Sequence, residues 1–441
     1  MRTLGLGVTL AFVLTCAPTA VPRSDSSPSS ASADPIKTTD FITLREGGQQ
    51  PALVVRKVAT AEAVRTMPDG LLLPDGVTVL ALEPGGASTL VKKFDRRTGQ
   101  MSSSQRLEGT WQLYPGNNSF SGSSANGSHA VLFGSSYNFT DQSGKWTART
   151  TFGVLDVASL SIEPVQLDGR YALHAVSNDG RFVFLDEYTP PQLPANVQLR
   201  VYDMTRHKLD EPSGDARSIG DSYRRTYIGS FAFEIATATE TLHPSPDMTQ
   251  IMPVTKLVRF DLSSRTVQVF RLPVERMLSG EDVLAWSLVP SRDQKLLYVV
   301  NPAAGAIYEI DVASLELRRS ARMTDAKSQQ GLLDALLAHV HPVADGKMGF
   351  GTGAVLSPDG ATLYVLAAQG MWSIDLAAMK AKMLTRDGGY ETLAISPDGA
   401  RLYVLGRQDG VISAIDTQSG KLLGSMARIA FPSEIVAVDA G

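Results

Sequence analysis

Residues Tyr390 to Met426, YETLAISPDGARLYVLGRQDGVISAIDTQSGKLLGSM, contain one complete unit of a repeat. Leu393–Ile395 is a short apolar strand, Ser396-Pro397-Asp398-Gly399 a tight turn, and Leu402–Leu405 a second strand. A turn at Gln408-Asp409-Gly410 leads to a third strand, Val411–Ile415, closed by Asp416-Thr417-Gln418-Ser419-Gly420. Lys421–Met426 supplies a fourth, more polar edge. In Ser-Pro-Asp-Gly the proline presets φ, serine and aspartate bond the local backbone, and glycine takes the conformation that other residues find strained. The aspartate is therefore read as a turn former and given no chemistry.

The same turn followed by a strand recurs at Leu73, Ser124, Ser177, Ser245, Ser291 and Ser357. With Ser396 this makes seven copies, spaced 39 to 68 residues apart. Each is followed by a strand ending at or near an aspartate: Asp95, Asp156, Asp203, Asp261, Asp311, Asp375 and Asp416. Two landmarks in fixed order at this period identify a repeat architecture. Four-stranded sheets that are apolar on both faces must stack around an axis. The expected fold is all-β, a seven-bladed β-propeller of four-stranded antiparallel sheets over residues 41–441. The final stretch, Ser433–Gly441 (SEIVAVDAG), reads as an innermost strand with no blade after it and is expected to complete the first blade. Leu53–Val58 competes for that place or adds a strand to the same blade.

The chain opens with Met1-Arg2 and an apolar run from Leu4 to Leu14, too short to span a bilayer and placed where an export signal belongs. Residues 1–20 are read as that signal and 21–40 as a Ser/Pro-rich tether. The single cysteine, Cys16, follows Val13-Leu14-Thr15 and resembles the lipidated cysteine of a bacterial lipoprotein, although a typical lipobox has leucine first and a small residue before the cysteine. Ordinary cleavage near Ala17 or Ala20 is the alternative. Both readings place the protein outside the cytoplasm, secreted or anchored. Beyond Cys16 the chain has no cysteine, which excludes disulfides and Cys-based metal or thiol chemistry there. A net charge of −4 implies neither nucleic acid nor an anionic membrane surface as partner. A membrane enters only through the anchor, and a monomer without cofactor is expected.

Connections after the first and third strands are short, whereas those between strands two and three and between blades vary. The variable ones share one face, and loops on a rigid scaffold are where binding usually resides. They include Glu108–Gly122, Ser135–Trp146, Tyr188–Asn196, Asp210–Gly229 and Ala321–Gly353. Their aromatics, Trp111, Tyr114, Phe120, Tyr137, Phe139, Trp146 and Tyr188, are the candidate binding residues, against the alternative that they pack the loops onto the blades. His339 and His341 stand two apart in the longest insertion without an acid at a telling spacing, so no metal site is assigned. The other histidines, His129, His174, His207 and His243, are scattered one to a segment, and no nucleophile elbow or phosphate loop is present.

Leu297-Tyr298-Val299-Val300-Asn301-Pro302 through Asp311, together with the two Ser-Pro-Asp-Gly units, resembles the YVTN-type propeller repeats of bacterial and archaeal surface proteins. The Gly-His and Trp-Asp dipeptides of WD-type repeats are absent. The YVTN resemblance implies a binding or surface module, brings no catalytic residue, and leaves protein, glycan and small ligand open as partners. The chain also resembles the lactonase-type seven-bladed propellers, a resemblance that implies hydrolysis of a ring ester in the central opening, and none of that family's site residues maps onto this chain. The expectation is a non-catalytic binding module; the alternative is a lactonase-like or metal-assisted hydrolase with its site in the central channel.

Overall fold

The Ser396 hydroxyl donates to Asp398 Oδ1 at 2.5 Å and accepts from the Arg401 amide at 2.9 Å, while Asp398 Oδ1 also accepts from the Ala400 amide at 3.0 Å. Gly399 closes the turn at φ +75°, a left-handed conformation that a side chain would strain. The same bonds recur at Ser357/Asp359 and Ser177/Asp179. The aspartate that ends each third strand builds the next turn: Asp416 Oδ1 accepts from the Ser419 amide at 2.7 Å and Asp311 Oδ1 from the Ser314 amide at 2.8 Å. Both sequence landmarks are thus hydrogen-bonded turns at one end of the sheets.

The computed structural model describes residues 36, 38–47, 51–113, 122–134, 137–140, 146–189, 196–215, 221–245, 248–274, 285–323, 353–368, 370–406, 410–429 and 432–441. They form eight sheets, not seven, arranged as a β-propeller and antiparallel except for one short added strand in the fifth. Blade 1 combines Phe41–Glu46, Ala52–Lys57 and Ala63–Pro68 with the C-terminal strand Pro432–Asp439, which pairs with Phe41–Glu46. Blades 2 to 8 follow in order: 71–108, 111–168, 170–210, 213–271, 287–322, 354–385 and 390–425. The repeat count fell short for a physical reason. The landmark turn joins first strand to second, and in blade 1 these strands are the two ends of the chain, so no turn exists there. The C-terminal strand is an innermost strand as expected, but of this extra blade, and Ala52–Lys57 adds a strand to the same blade on the other side of Phe41–Glu46.

Three further assignments change. Ser245-Pro246-Asp247-Met248 is not the turn after a first strand: Ser245 pairs with Met248 at the far end of the hairpin Phe231–Ser245/Met248–Asp261, and the true turn of blade 5 is at Gly229-Ser230. Glu108–Gly122 is not an interblade loop, because Trp111–Leu113 is the first strand of blade 3. Leu113 pairs with Leu132, and the Gly122 carbonyl accepts from the Val131 amide. Asp210–Gly229 also resolves into strands: Ser213–Gly214 runs parallel to Thr266–Val267 as a fifth, outermost strand, and Asp221–Ile228 is the first strand of blade 5.

Strand periodicity makes each second strand feed two interfaces. Leu363 and Val365 pack against blade 6 with Val300 and Ile307, while Tyr364 and Leu366 pack against blade 8 with Leu402 and Val404. Each such side chain, fully buried, contributes about 1.5–3 kcal/mol. Ile36 and Asp40, in the stretch read as tether, belong to this packing: Ile36 is buried with Leu405 and Ile412, and Asp40 Oδ2 accepts from the Tyr403 hydroxyl at 2.5 Å. Residues 1–35, Cys16 among them, lie outside the described residues.

Candidate functional site

Successive connections in an antiparallel meander alternate between its two ends, so the hairpins joining second to third strands share a face with the interblade connections. On that face the hairpins of blades 2, 6 and 7 are tight, returning at Pro84/Thr89, Asn301/Ala306 and Ala367/Gly370. Blade 5 differs. Among the described residues its first strand reaches the Asp221/Thr237 rung and its fourth the Lys256/Arg271 rung, yet the central pair continues from Ala238/Val254 to Ser245/Met248. At the usual rise of a strand this arm projects roughly 25 Å. In blade 3, Tyr137–Thr140 pairs with Trp146–Arg149 beyond the rungs of the first strand, making a second, shorter arm. Blade 4 lies between them.

The end of blade 4 beneath these arms is charged. Arg170 stacks over the Tyr188 ring with its guanidinium carbon 4.6 Å from the centroid. Arg200 donates to Glu187 Oε2 at 2.6 Å and Glu211 Oε1 at 2.7 Å, and the Tyr171 hydroxyl donates to Glu187 Oε1 at 3.2 Å. Burial, then the Glu187 charge, pushes the Tyr171 phenol up to about 12.

Deeper, between blades 4 and 5, four charged side chains meet. His174 is 2% exposed and Glu234 0% exposed. His174 Nδ1 lies 3.2 Å from Asp186 Oδ2, and Nε2 lies 2.9 Å from Glu234 Oε2 in an ion contact without hydrogen-bond alignment. Arg225 donates to the other Glu234 oxygen from the facing rung, and Phe260 meets the imidazole edge-on at 4.6 Å. His174 sits where the register between first and second strands shifts, a bulge that re-aims a side chain. Burial alone would pull the imidazole down, but the Glu234 and Asp186 carboxylates outweigh it and raise it to about 9. The group is a protonated imidazole and a guanidinium balanced by two carboxylates. Its depth suits holding two blades together rather than contacting a substrate.

The sequence-level candidates fare differently. Trp111 is in the core: the residue is 6% exposed, its Nε1 donates to the Glu108 carbonyl at 2.7 Å, and it packs with Leu132 and Leu155. Tyr137, Phe139 and Trp146 are on the blade 3 arm, with Tyr137 opposite Arg149, Phe139 opposite Thr147 and Trp146 opposite Thr140. Tyr188 is half-buried on the blade 4 floor between the arms. Tyr114, Phe120, His339 and His341 lie outside the described residues. The His174 cluster was missed, although a signal exists. Aligned on the rung of the third-strand aspartate, Asp186 occupies the column of Leu366 and Leu405, and Glu234 that of Val365 and Val404. An acid in a buried apolar column calls for a partner. Among the described residues no group of three or more His, Cys, Asp or Glu is arranged to hold a metal ion.

No family model and no curated protein matches the chain. Solved structures do resemble it. The periplasmic gluconolactonase PpgL of Pseudomonas aeruginosa is 16% identical over 81% of this chain and 97% of its own, with a TM-score of 0.38. Apo AztD of Citrobacter koseri is 12% identical over 91% and 96%, with a TM-score of 0.47. A putative 6-phosphogluconolactonase of Bacteroides fragilis is 15% identical over 81% and 96%, with a TM-score of 0.34.

Proposed function

We propose that this chain is a non-catalytic, extracytoplasmic bacterial binding propeller that grips a partner on the face carrying the second-to-third-strand hairpins, between the arms of blades 3 and 5. One observation carries the reading. The central strand pair of blade 5 continues from Thr239/Pro253 to Ser245/Met248, beyond the Asp221/Thr237 and Lys256/Arg271 rungs that are the last it shares with its described neighbours, so its length exceeds what pairing within the blade requires. Lengths unconstrained by the fold are available to a ligand. The floor between the arms, with Arg200, Glu187 and Glu211 partly exposed, suits a polar partner that exchanges hydrogen bonds and charge. The alternative, a hydrolase in the central channel, needs converging acid, base or metal ligands.

The test is a chain in which residues 239–253 are replaced by Asn-Gly, joining Ala238 to Val254, which is buried and is kept. It is expected to keep its thermal midpoint and to lose the proteins or glycans retained by the immobilised full chain from the extracytoplasmic fraction. Undiminished retention would sink the reading, and turnover of a panel of simple lactones by the full chain would replace it with the hydrolase.

A further inference from the structure

Neighbouring blades diverge toward their outer strands, and cationic side chains bridge several of the resulting gaps. Lys93 of blade 2 donates to the Val157 carbonyl of blade 3 at 3.3 Å. Arg259 of blade 5 donates to the Val312 and Ala313 carbonyls of blade 6 at 2.6 and 2.5 Å. Arg319 of blade 6 donates to the Leu376 and Ala377 carbonyls of blade 7 at 3.0 and 2.9 Å while Glu309, its cross-strand neighbour, holds the guanidinium from the other side. Each acceptor lies just after the aspartate that ends a third strand.

Between blades 7 and 8 the corresponding positions hold different residues. Ser373 stands where Glu309 does, Lys382 stands where Arg319 does, and the acceptors would be the carbonyls of Thr417 and Gln418. No hydrogen bond or ion pair joins Lys382 to them or to any other described residue. An open groove of about 890 Å³ lies there instead, lined by every residue from Lys380 to Arg386 along the outer strand of blade 7. Lys380, Lys382 and Arg386 line it against a single acid, Asp375, whose Oδ1 already accepts from the Ala378 amide at 2.9 Å. Among the described residues the outer strand Lys380–Thr385 pairs on one side only, with Gly370–Asp375. Blade 5 shows what such an edge can take: Ser213–Gly214 pairs in parallel with its outer strand, the Ser213 amide donating to the Arg265 carbonyl at 3.0 Å and the Asp215 amide to the Val267 carbonyl at 2.9 Å.

We propose that this groove is a docking site for an extended acidic segment of a partner protein, which adds a strand along Lys380–Thr385 and sets its carboxylates against Lys380 and Lys382. Main-chain bonds along the edge supply affinity, and the lysines select acidic side chains. The site lies on the outer wall, away from the arms of blades 3 and 5, so it stands or falls independently of the proposed binding face.

A fluorescein-labelled six-residue all-glutamate peptide, matching the six residues of the strand, is the probe, followed by anisotropy. The full chain is expected to bind it, and K380Q/K382Q to bind it about tenfold more weakly. S373E/K382R, which transplants the Glu309/Arg319 bridge into this gap, is expected to weaken binding at least as much while keeping or raising the thermal midpoint. Amide exchange of the strand Lys380–Thr385 should slow when peptide is bound. Absence of binding by the full chain at low-millimolar peptide, or equal binding by all three proteins, would overturn the proposal. So would tighter binding of oligogalacturonate than of the peptide, which would make the groove a site for an acidic glycan.

Discussion

The guanidinium of Arg96, on the turn after the third strand of blade 2, grips the carboxylate of Asp439, on the C-terminal strand, through NH1 to Oδ2 at 2.5 Å and NH2 to Oδ1 at 2.8 Å. The same side chain, 2% exposed, donates to Thr43 Oγ1 at 2.8 Å and the Gly76 carbonyl at 2.9 Å. It thus ties both strands that close blade 1 to the neighbouring blade. The Asp439 side chain is 23% exposed, so leaving it without this partner costs less than the roughly 3–5 kcal/mol of a fully buried pair. Arg96→Ala is therefore expected to lower Tm by several degrees, and Arg96→Lys, which lacks the two-nitrogen fork, to recover only part of the loss. Thermal unfolding of the two variants checks this, and an unchanged midpoint for Arg96→Ala would remove the closure role.

Ending the chain at Pro432 deletes most of the innermost strand of blade 1, Pro432–Asp439, and leaves Phe41–Glu46 as an unpaired edge facing the axis. Ile435, packed with Ile42 and Leu44, is lost with it. The truncated chain is expected to aggregate on expression or melt far below the full chain, because the ring opens and a sheet edge is exposed. A truncated protein that stays monodisperse with an unchanged Tm would contradict closure by this strand.

The pH dependence of stability carries the signature of His174. Its imidazole is held above the ordinary value of 6.5, at about 9, with Glu234, Asp186 and Arg225 as the charged groups around it and Tyr227 beside Arg225. A raised folded value means that the folded state binds the proton more tightly than the unfolded chain. The resulting stabilisation is fully present below about pH 6.5 and is lost as pH rises through about 9. Stability should fall across this window in the parent. His174→Gln should be less stable at pH 6 by on the order of 3 kcal/mol and lack that part of the alkaline decline. Parallel curves for the two proteins from pH 6 to 10 would refute the assignment.

Turns after the third strands require a left-handed residue before the outer strand. Gly99 and Gly420 provide it at φ +72° and +71°, whereas His207 occupies the same place at φ +49°. The His207 side chain is exposed and makes only a 3.9 Å approach to the exposed Glu163, which contributes little. His207→Gly is expected to leave Tm unchanged or raise it, since the relief of strain, about 1 kcal/mol, offsets the added freedom of the unfolded chain. A clear loss of stability by chemical denaturation would mean that the histidine packs more tightly than its exposure indicates.

What could be read from the sequence was what local hydrogen bonding dictates. Ser396, Asp398 and Gly399, and the aspartate series ending at Asp416, act within a few residues of chain and so leave a pattern. Ser245-Pro246-Asp247 carries the same pattern at the opposite end of a blade, because a turn sequence states that the chain reverses and not where. Blade 1 was invisible for the complementary reason, its Arg45/Glu434 and Thr43/Ala437 rungs joining the two ends of the chain. The His174 cluster likewise depends on two blades: His174 and Asp186 belong to one, Glu234 and Arg225 to the next.

Trp111 separates packing from binding. Its ring lies among Leu107, Leu132 and Leu155, and its backbone amide donates to Thr89 Oγ1 at 2.8 Å, so it locks the first strand of blade 3 to blade 2. Truncating such a residue removes a large buried ring and leaves a cavity, at a cost of about 3–5 kcal/mol. Trp111→Ala should therefore lower Tm strongly while its folded fraction keeps the affinity of the parent for any partner of the arm face. Trp146→Ala, on the blade 3 arm, should show the reverse: little change in Tm and, if this arm holds an anchor, a loss of about 2 kcal/mol in binding. Affinity of the folded fraction, measured beside the unfolding curve for both variants, distinguishes the two roles. Weaker binding by folded Trp111→Ala with Trp146→Ala neutral would move the contact from the arm to the wall of the blade.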